Sequence, residues 1–282
     1  MSDAVQADLT QADAVVAELT YTVDTGETQI NESYGPGNIY QRTTGSYEQK
    51  AMAIHDGRRA TKDFSLDHNG FVFVRRPSAV TDFFDKAQVA SVYYPELVEL
   101  VCEESGARRA VVFDHTVRSG DELERETKLV REPVLYVHND YTEISGPNRA
   151  RELLPSLAPD IDIESALAGR FAIIQVWRPI RTVLESPLAI ADSRSLEPGD
   201  LITVERRYPD RVGQTYRLKH NAAHRWYYFP RMEPEEVIVF KVFDSERDGR
   251  TRFTPHTAFK DPASAANAPH RQSIEARLFA FF

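Results

Sequence analysis

Apolar and polar positions change period several times along this chain. Ala17-Glu18-Leu19-Thr20-Tyr21-Thr22-Val23 alternates and predicts an early strand. The pattern breaks up at Gly35-Pro36-Gly37, so residues 15–45 read as one strand and a polar loop, and residues 45–55 have no clear period. Gly70-Phe71-Val72-Phe73-Val74, rich in β-branched and aromatic residues, predicts a short strand. Two helices are expected next. The first is capped by Ser78 or Thr81 and runs through Val92; the second has Pro95 in its first turn and Leu97, Leu100 and Val101 at helical spacing up to Gly106. Strand patterns return over 110–118 and 134–142, joined by a polar connection, and a helical interruption covers 148–169. Beyond Arg170 nearly everything reads as strand: 170–177, 188–192, 201–206, 215–219, 225–229, 236–243, 252–259 and 271–282.

Helices first and then many short strands predict a mainly β chain with helical decoration. The expected architecture is a double-stranded β-helix, a jelly-roll, cupin-like barrel. Residues 1–14, small, acidic and poor in apolar side chains, are expected to be disordered. Residues 15–282 are expected to form one domain, with an N-terminal helical and strand extension and a helical insert near 148–169.

Charge and composition narrow the partners. With 34 basic and 43 acidic residues the net charge is −9, which argues against nucleic acid or an anionic membrane surface. Cys102 is the single cysteine, so neither an internal disulfide nor a thiolate zinc cluster is available. The acidic N-terminus lacks a signal-peptide pattern, and no apolar run approaches the roughly 20 residues of a membrane span. These features predict a soluble cytoplasmic protein; they set no oligomeric state.

The chemistry concentrates at Tyr136-Val137-His138-Asn139-Asp140-Tyr141. On a strand, His138 and Asp140 share a face, and imidazole plus carboxylate is two-thirds of the facial triad that holds non-haem Fe(II). Eight histidines are available to complete it. His256 precedes the last strand by one strand, whereas His220 and His224 compete with it as third ligand. Arg271 and Ser273 share a face of that last strand, where a guanidinium fork and a hydroxyl suit a carboxylate.

His-x-Asp, a distant His and Arg-x-Ser on the last strand resemble the Fe(II)/2-oxoglutarate-dependent oxygenases. Phe64-Ser65-Leu66-Asp67-His68-Asn69-Gly70-Phe71, Phe113-Asp114-His115-Thr116-Val117-Arg118, Trp177-Arg178-Pro179, His224-Arg225-Trp226-Tyr227-Tyr228-Phe229-Pro230 and Pro255-His256-Thr257-Ala258-Phe259 are similar to the cephamycin methoxylase-component and fungal gibberellin-desaturase group within them. The resemblance spans about residues 60–282. It implies Fe(II) at His138, Asp140 and a third ligand, which the resemblance leaves between His256 and the competing His220 and His224 and which the position of His256 one strand before Arg271 assigns to His256. It also implies 2-oxoglutarate and dioxygen as co-reactants, and hydroxylation or desaturation of a secondary metabolite. Arg271 and Ser273 would hold the far carboxylate of 2-oxoglutarate, with Arg118 and Arg178 as further candidates. Tyr141, Trp177, His224, Trp226 and Tyr227 would wall the substrate pocket. Two other readings compete: a cupin-like iron enzyme that uses no 2-oxoglutarate, and a jelly-roll binding module without chemistry.

Overall fold

The computed structural model describes residues 14–36, 40–209 and 211–282. Of the segment expected to be disordered, residues 1–13 lie outside the described residues, and Ala14 opens β1 (Ala14–Val23). The region expected to be a polar loop holds β2 (Gln29–Tyr34) and β3 (Tyr40–Thr43). The segment without a clear period is β4 (Ser46–Asp56), which pairs with β1 from Ala14↔His55 to Val23↔Ser46. Its hydrophobic alternation is weak because Glu48, Gln49 and Lys50 crowd the sequence; backbone pairing defines the strand instead.

After β5 (Phe71–Arg75) comes one continuous helical run rather than two helices: α1 (Lys86–Gln88), a π-helical turn (Val89–Tyr93) and α2 (Tyr94–Ser105). Its cap is Asp85, whose carboxylate accepts from the amides of Ala87 and Gln88; Ser78 and Thr81 do not start it. Gly106 ends it at φ 73°, a left-handed conformation that a side chain would disfavour. β6 (Arg109–Ser119) follows, and the polar connection beyond it carries α3 (Glu122–Lys128).

The strand expected over 134–142 shrinks to β7 (His138–Asn139). The backbone bonds of this segment go to different partners: the Val137 amide donates to Thr20, and the Val134 carbonyl accepts from Ala258. No single ladder forms, so the strand stays short. The helical insert is α4 (Ser145–Leu157) and α5 (Ile163–Ala168). Then come β8 (Phe171–Pro179), β9 (Leu188–Ala191), β10 (Leu201–Arg207), β11 (Val212–Leu218), β12 (Trp226–Tyr228), β13 (Glu236–Asp244), β14 (His256–Ala258) and β15 (Gln272–Phe281).

The strands form two sheets, one in the order β1-β4-β12-β9-β14-β7-β11-β10-β2-β3, the other β5-β13-β8-β15-β6. The chain is thus mainly β with a few helices. Every residue of β8 is buried because both its faces are covered. Ala172, Ile174 and Val176 pack with Leu97, Leu100 and Val101 of α2, while Phe171, Ile173 and Trp177 pack with Leu188 and Ile190 of the other sheet. This explains a continuous apolar run where a one-sided sheet would alternate. β15 sorts by the same period of two: Ile274, Ala276 and Leu278 join the α2 side. Arg271, Ser273, Glu275 and Arg277 occupy the alternate positions, which face the other sheet. A third core lies under β1, where Leu19 and Tyr21 cover Ala189, Ala191 and Trp226. Among the described residues no helix is long and apolar enough to cross a membrane.

Candidate metal centre and its cavity

β7 lies between two neighbours. β11 sets Arg217 opposite His138 on one side, and β14 sets His256 opposite His138 on the other. Paired residues of antiparallel strands share a face, so pairing alone puts the two imidazoles together, ring centroids 4.4 Å apart. Asp140 returns to the same face. One ligand atom from each of His138, Asp140 and His256 lies within 4.8 Å of the others.

The orientation of the rings is held from behind. Nδ1 of His138 meets the Tyr136 carbonyl at 2.9 Å, and Nδ1 of His256 meets the Thr254 carbonyl at 3.1 Å. A carbonyl only accepts, so each Nδ1 carries the proton and each Nε2 keeps its lone pair. Phe240 packs edge-on against His256 at 4.8 Å. Asn139 points the opposite way from His138 and is wholly buried. It donates to the Val242 carbonyl at 2.9 Å and accepts from the Thr254 amide at 3.0 Å, locking the short β7 to β13 and to the chain entering β14.

Asp140 accepts from Nε of Arg277 at 2.7 Å. Arg277 also donates to Asp114 at 3.0 Å and to Glu275 at 2.8 Å, and Glu275 takes Arg118 at 2.6 and 3.1 Å. The result is an alternating chain of charges, Asp140, Arg277, Glu275, Arg118, set into the interior. Burial pushes the Asp140 carboxyl up, but Arg277 and the two imidazoles hold it well below the usual carboxylate range. Burial pushes both imidazoles down, His138 furthest, with the neighbouring His256 adding to it. Two neutral imidazoles and one carboxylate are the protonation states that a divalent metal requires.

A cavity of about 470 Å³ opens beside this cluster, lined by His138, Asp140, Tyr141, Arg217, Arg277 and Asp114 among others. Tyr141 lines this cavity. Arg271 is 2 % exposed; it donates to the Ser186 carbonyl at 2.6 Å and lies 5.5 Å over the Trp177 ring, so Trp177 is a platform for Arg271 and not part of the cavity wall. Nε of Arg271 and Oγ of Ser273 are both buried without a partner, as are both amide atoms of Gln175 on the facing stretch of β8. Arg217 is likewise buried, and two of its nitrogens have no partner; burial pushes its guanidinium down to about 10, which leaves it charged at neutral pH.

Other expected site residues are elsewhere. Arg178 points to the helix side of β8, where Tyr93, the Pro234 carbonyl and the Arg76 carbonyl take its guanidinium. Arg118 lines the cavity, but Glu275 and the Glu132 carbonyl occupy its fork. His224 is bonded to Asp200 at 3.0 Å and stacked on Tyr21, and Trp226 donates to the Tyr21 hydroxyl at 2.8 Å. His220 sits edge-on to the same Tyr21. β12 is separated from β7 by β9 and β14, and β1 covers this face, so neither histidine stands in the cluster and Trp226 does not line its cavity. Tyr227 faces the other way, among Phe64 and Phe71.

A family profile described as "Oxidoreductase/YMDC permease-like domain" matches residues 19–281. The alpha-ketoglutarate-dependent dioxygenase phiK of a fungal species is 32% identical over 240 residues, covering 83% of this chain and 84% of that one. The chain belongs to the Fe(II)/2-oxoglutarate-dependent dioxygenases. The dioxygenase is also 32% identical to the hydroxylase/desaturase efuI of Hormonema carpetanum, over 88% of this chain and 90% of the other. Its fold is similar to that of the iron and alpha-ketoglutarate-dependent endoperoxidase NvfI, with a TM-score of 0.84 at 26% identity, covering 96% of this chain and 99% of that one.

The buried histidines give the dioxygenase a pH signature. Burial holds His115, His138, His224 and His256 below the usual imidazole value. Each stays neutral in the folded chain where the unfolded chain already binds a proton, so their contribution is complete above the unfolded value and is lost as pH falls. The metal-free protein is expected to lose stability below about pH 6.5. Urea unfolding between neutral and acidic pH measures it, and His256→Gln should flatten the slope. A midpoint independent of pH in this range contradicts the burial argument.

Proposed function

We propose that this dioxygenase holds Fe(II) at His138, Asp140 and His256 and receives the far carboxylate of 2-oxoglutarate at Arg271 and Ser273. We further propose that it hydroxylates or desaturates a small-molecule secondary metabolite. The two sheets, with the insert of α4 and α5, are read as a single double-stranded β-helix domain. The observation that carries the reading is the convergence of the three side chains within 4.8 Å, with both Nε2 lone pairs left available by Nδ1 bonds to carbonyls. Two neutral nitrogens and one carboxylate fit the 2-His-1-carboxylate site of a non-haem iron oxygenase.

Bound there, Fe(II) supplies dioxygen activation coupled to oxidative decarboxylation of 2-oxoglutarate to succinate. The chain's own part is to bind, orient and enclose. Arg277 fixes the Asp140 carboxylate in its ionised form and limits its rotation. Asn139 holds the ligand strand in register. The orphaned Nε of Arg271 and Oγ of Ser273 support a carboxylate partner, because buried polar groups left without a partner are otherwise unfavourable. Tyr141 contributes an aromatic wall to the cavity. The readings without 2-oxoglutarate, or without chemistry, run against the family to which the chain belongs.

Arg271→Lys keeps a positive charge but loses the planar fork. Hydrogen bonds to a charged group contribute about 1.5–3 kcal/mol, so the apparent KM for 2-oxoglutarate is expected to rise roughly 10- to 100-fold with iron binding intact. Ser273→Ala should shift it less, in the same direction. Titrating 2-oxoglutarate against decarboxylation decides the matter; an unchanged KM in Arg271→Lys removes this residue from the cosubstrate site.

A further inference from the structure

The cavity beside the metal centre carries positive charge that the mechanism above does not use. Arg217 stands in a cross-strand row with His138 and His256, paired directly with His138. It is 3 % exposed, lies 5.2 Å over the Tyr136 ring, and leaves Nε and Nη1 buried without a partner. Arg206 lines the same cavity, and its partners are neutral: Asn31, the Ser33 hydroxyl at 2.9 Å and the Tyr208 hydroxyl at 3.3 Å. Arg131, also at the wall, has no carboxylate partner among the described residues. The acids at this wall are engaged elsewhere: Asp140 and Asp114 with Arg277, Glu152 with Arg149, Glu205 with Arg207. In a chain of net charge −9, a cavity holding three uncompensated guanidinium groups is a selective feature.

We propose that the substrate of this dioxygenase is a carboxylic acid whose carboxylate is received by Arg217 beside the metal centre, in the positive field of Arg131 and Arg206. This rests on the reading of His138, Asp140 and His256 as the iron site and of Arg271 as the 2-oxoglutarate anchor. A buried guanidinium without a counterion is unfavourable, and an incoming carboxylate supplies charge-assisted bonds that a neutral isostere lacks. Arg217 lies on β11 of one sheet and Arg271 immediately precedes β15 of the other, so the interior offers two separate acid-binding positions. One takes the cosubstrate and the other the substrate. Placing the acid group beside His138 orients the remainder of the molecule along the cavity past the metal centre.

The experiment uses the Fe(II)-loaded protein saturated with 2-oxoglutarate under argon. Benzoate, 1-naphthoate and abietate are each titrated by calorimetry against the corresponding neutral amide. At least one acid is expected to bind roughly 10- to 100-fold more tightly than its amide, the span of a bond set to a charged group. Arg217→Gln should abolish that preference and leave 2-oxoglutarate affinity within a few-fold of the wild type. Arg217→Lys, which keeps the charge, should retain part of the preference and stands in if the glutamine variant unfolds. Equal binding of every acid and amide, or no binding of any acid, overturns the proposal. So does an Arg217→Gln variant that loses 2-oxoglutarate instead, which makes Arg217 the cosubstrate anchor. Failure of 2-oxoglutarate to bind the iron-loaded wild type is a different result and strikes the Arg271 and iron-site reading itself.

Discussion

His138→Ala and Asp140→Ala are each expected to abolish iron binding and 2-oxoglutarate turnover while the protein stays folded. Each removes one of only three side-chain donors in the cluster. Loss of a partner that merely orients a ligand lowers metal affinity by about 10- to 100-fold, so loss of a ligand itself should exceed that. The fold should survive because the His138 ring ties the chain locally, to the Tyr136 carbonyl and toward Asp140, and because Arg277 keeps Asp114 and Glu275 when Asp140 is truncated. His256→Ala should behave like His138→Ala. His224→Ala should keep its iron, because that ring is committed to Asp200 and Tyr21 on the far side of the sheet. Iron content, far-UV circular dichroism and succinate release measure all four variants. Full iron occupancy in the His138 or Asp140 variant, or its loss in the His224 variant, would place the metal elsewhere.

The second large effect belongs to Arg277. Three carboxylates converge on it: Asp140, Asp114 and Glu275. Arg277→Leu takes this partner from Asp140 and Glu275 in the interior, beside the half-exposed Asp114, with Glu275 still held by Arg118. Breaking a buried pair by removing one partner costs about 3–5 kcal/mol, which for a chain of this size lowers the melting temperature by roughly 10 °C. The same change removes the cation that holds Asp140 ionised against the upward push of burial. Iron affinity should therefore fall by about 10- to 100-fold, with the deficit widening as pH is lowered. Differential scanning calorimetry and iron titration across pH give both numbers. An Arg277→Leu protein that melts and binds iron like the wild type would show that this network is incidental.

Arg277 also illustrates where the sequence was readable and where it was not. Arg271-Gln272-Ser273-Ile274-Glu275-Ala276-Arg277 alternates, so the shared face of Arg271 and Ser273 was visible, and so was that of Glu275 and Arg277. The signal missed was that a polar face on a strand buried on both sides has to look into a site. The contact from Arg277 to Asp140 joins two elements far apart in the chain, and no local pattern encodes it. Arg217 gave no warning, because Thr215-Tyr216-Arg217-Leu218 reads as an ordinary half-exposed strand. His224 shows the converse: it alternates with Trp226 in the sequence but precedes β12 rather than lying in it, and both rings meet Tyr21 of β1.

Local physics was thus determined by the sequence alone. Period two placed His138 with Asp140 and Arg271 with Ser273, and apolar runs located β5, β8, β13 and β15. The tertiary structure decided what lay across each strand. It put His256 rather than His224 opposite His138, gave Asp140 to Arg277, closed the fork of Arg118 on Glu275, and reduced the expected 134–142 strand to two residues. Side-chain direction along a strand follows from the geometry of adjacent residues, whereas the identity of a neighbouring strand depends on contacts between residues more than a hundred positions apart.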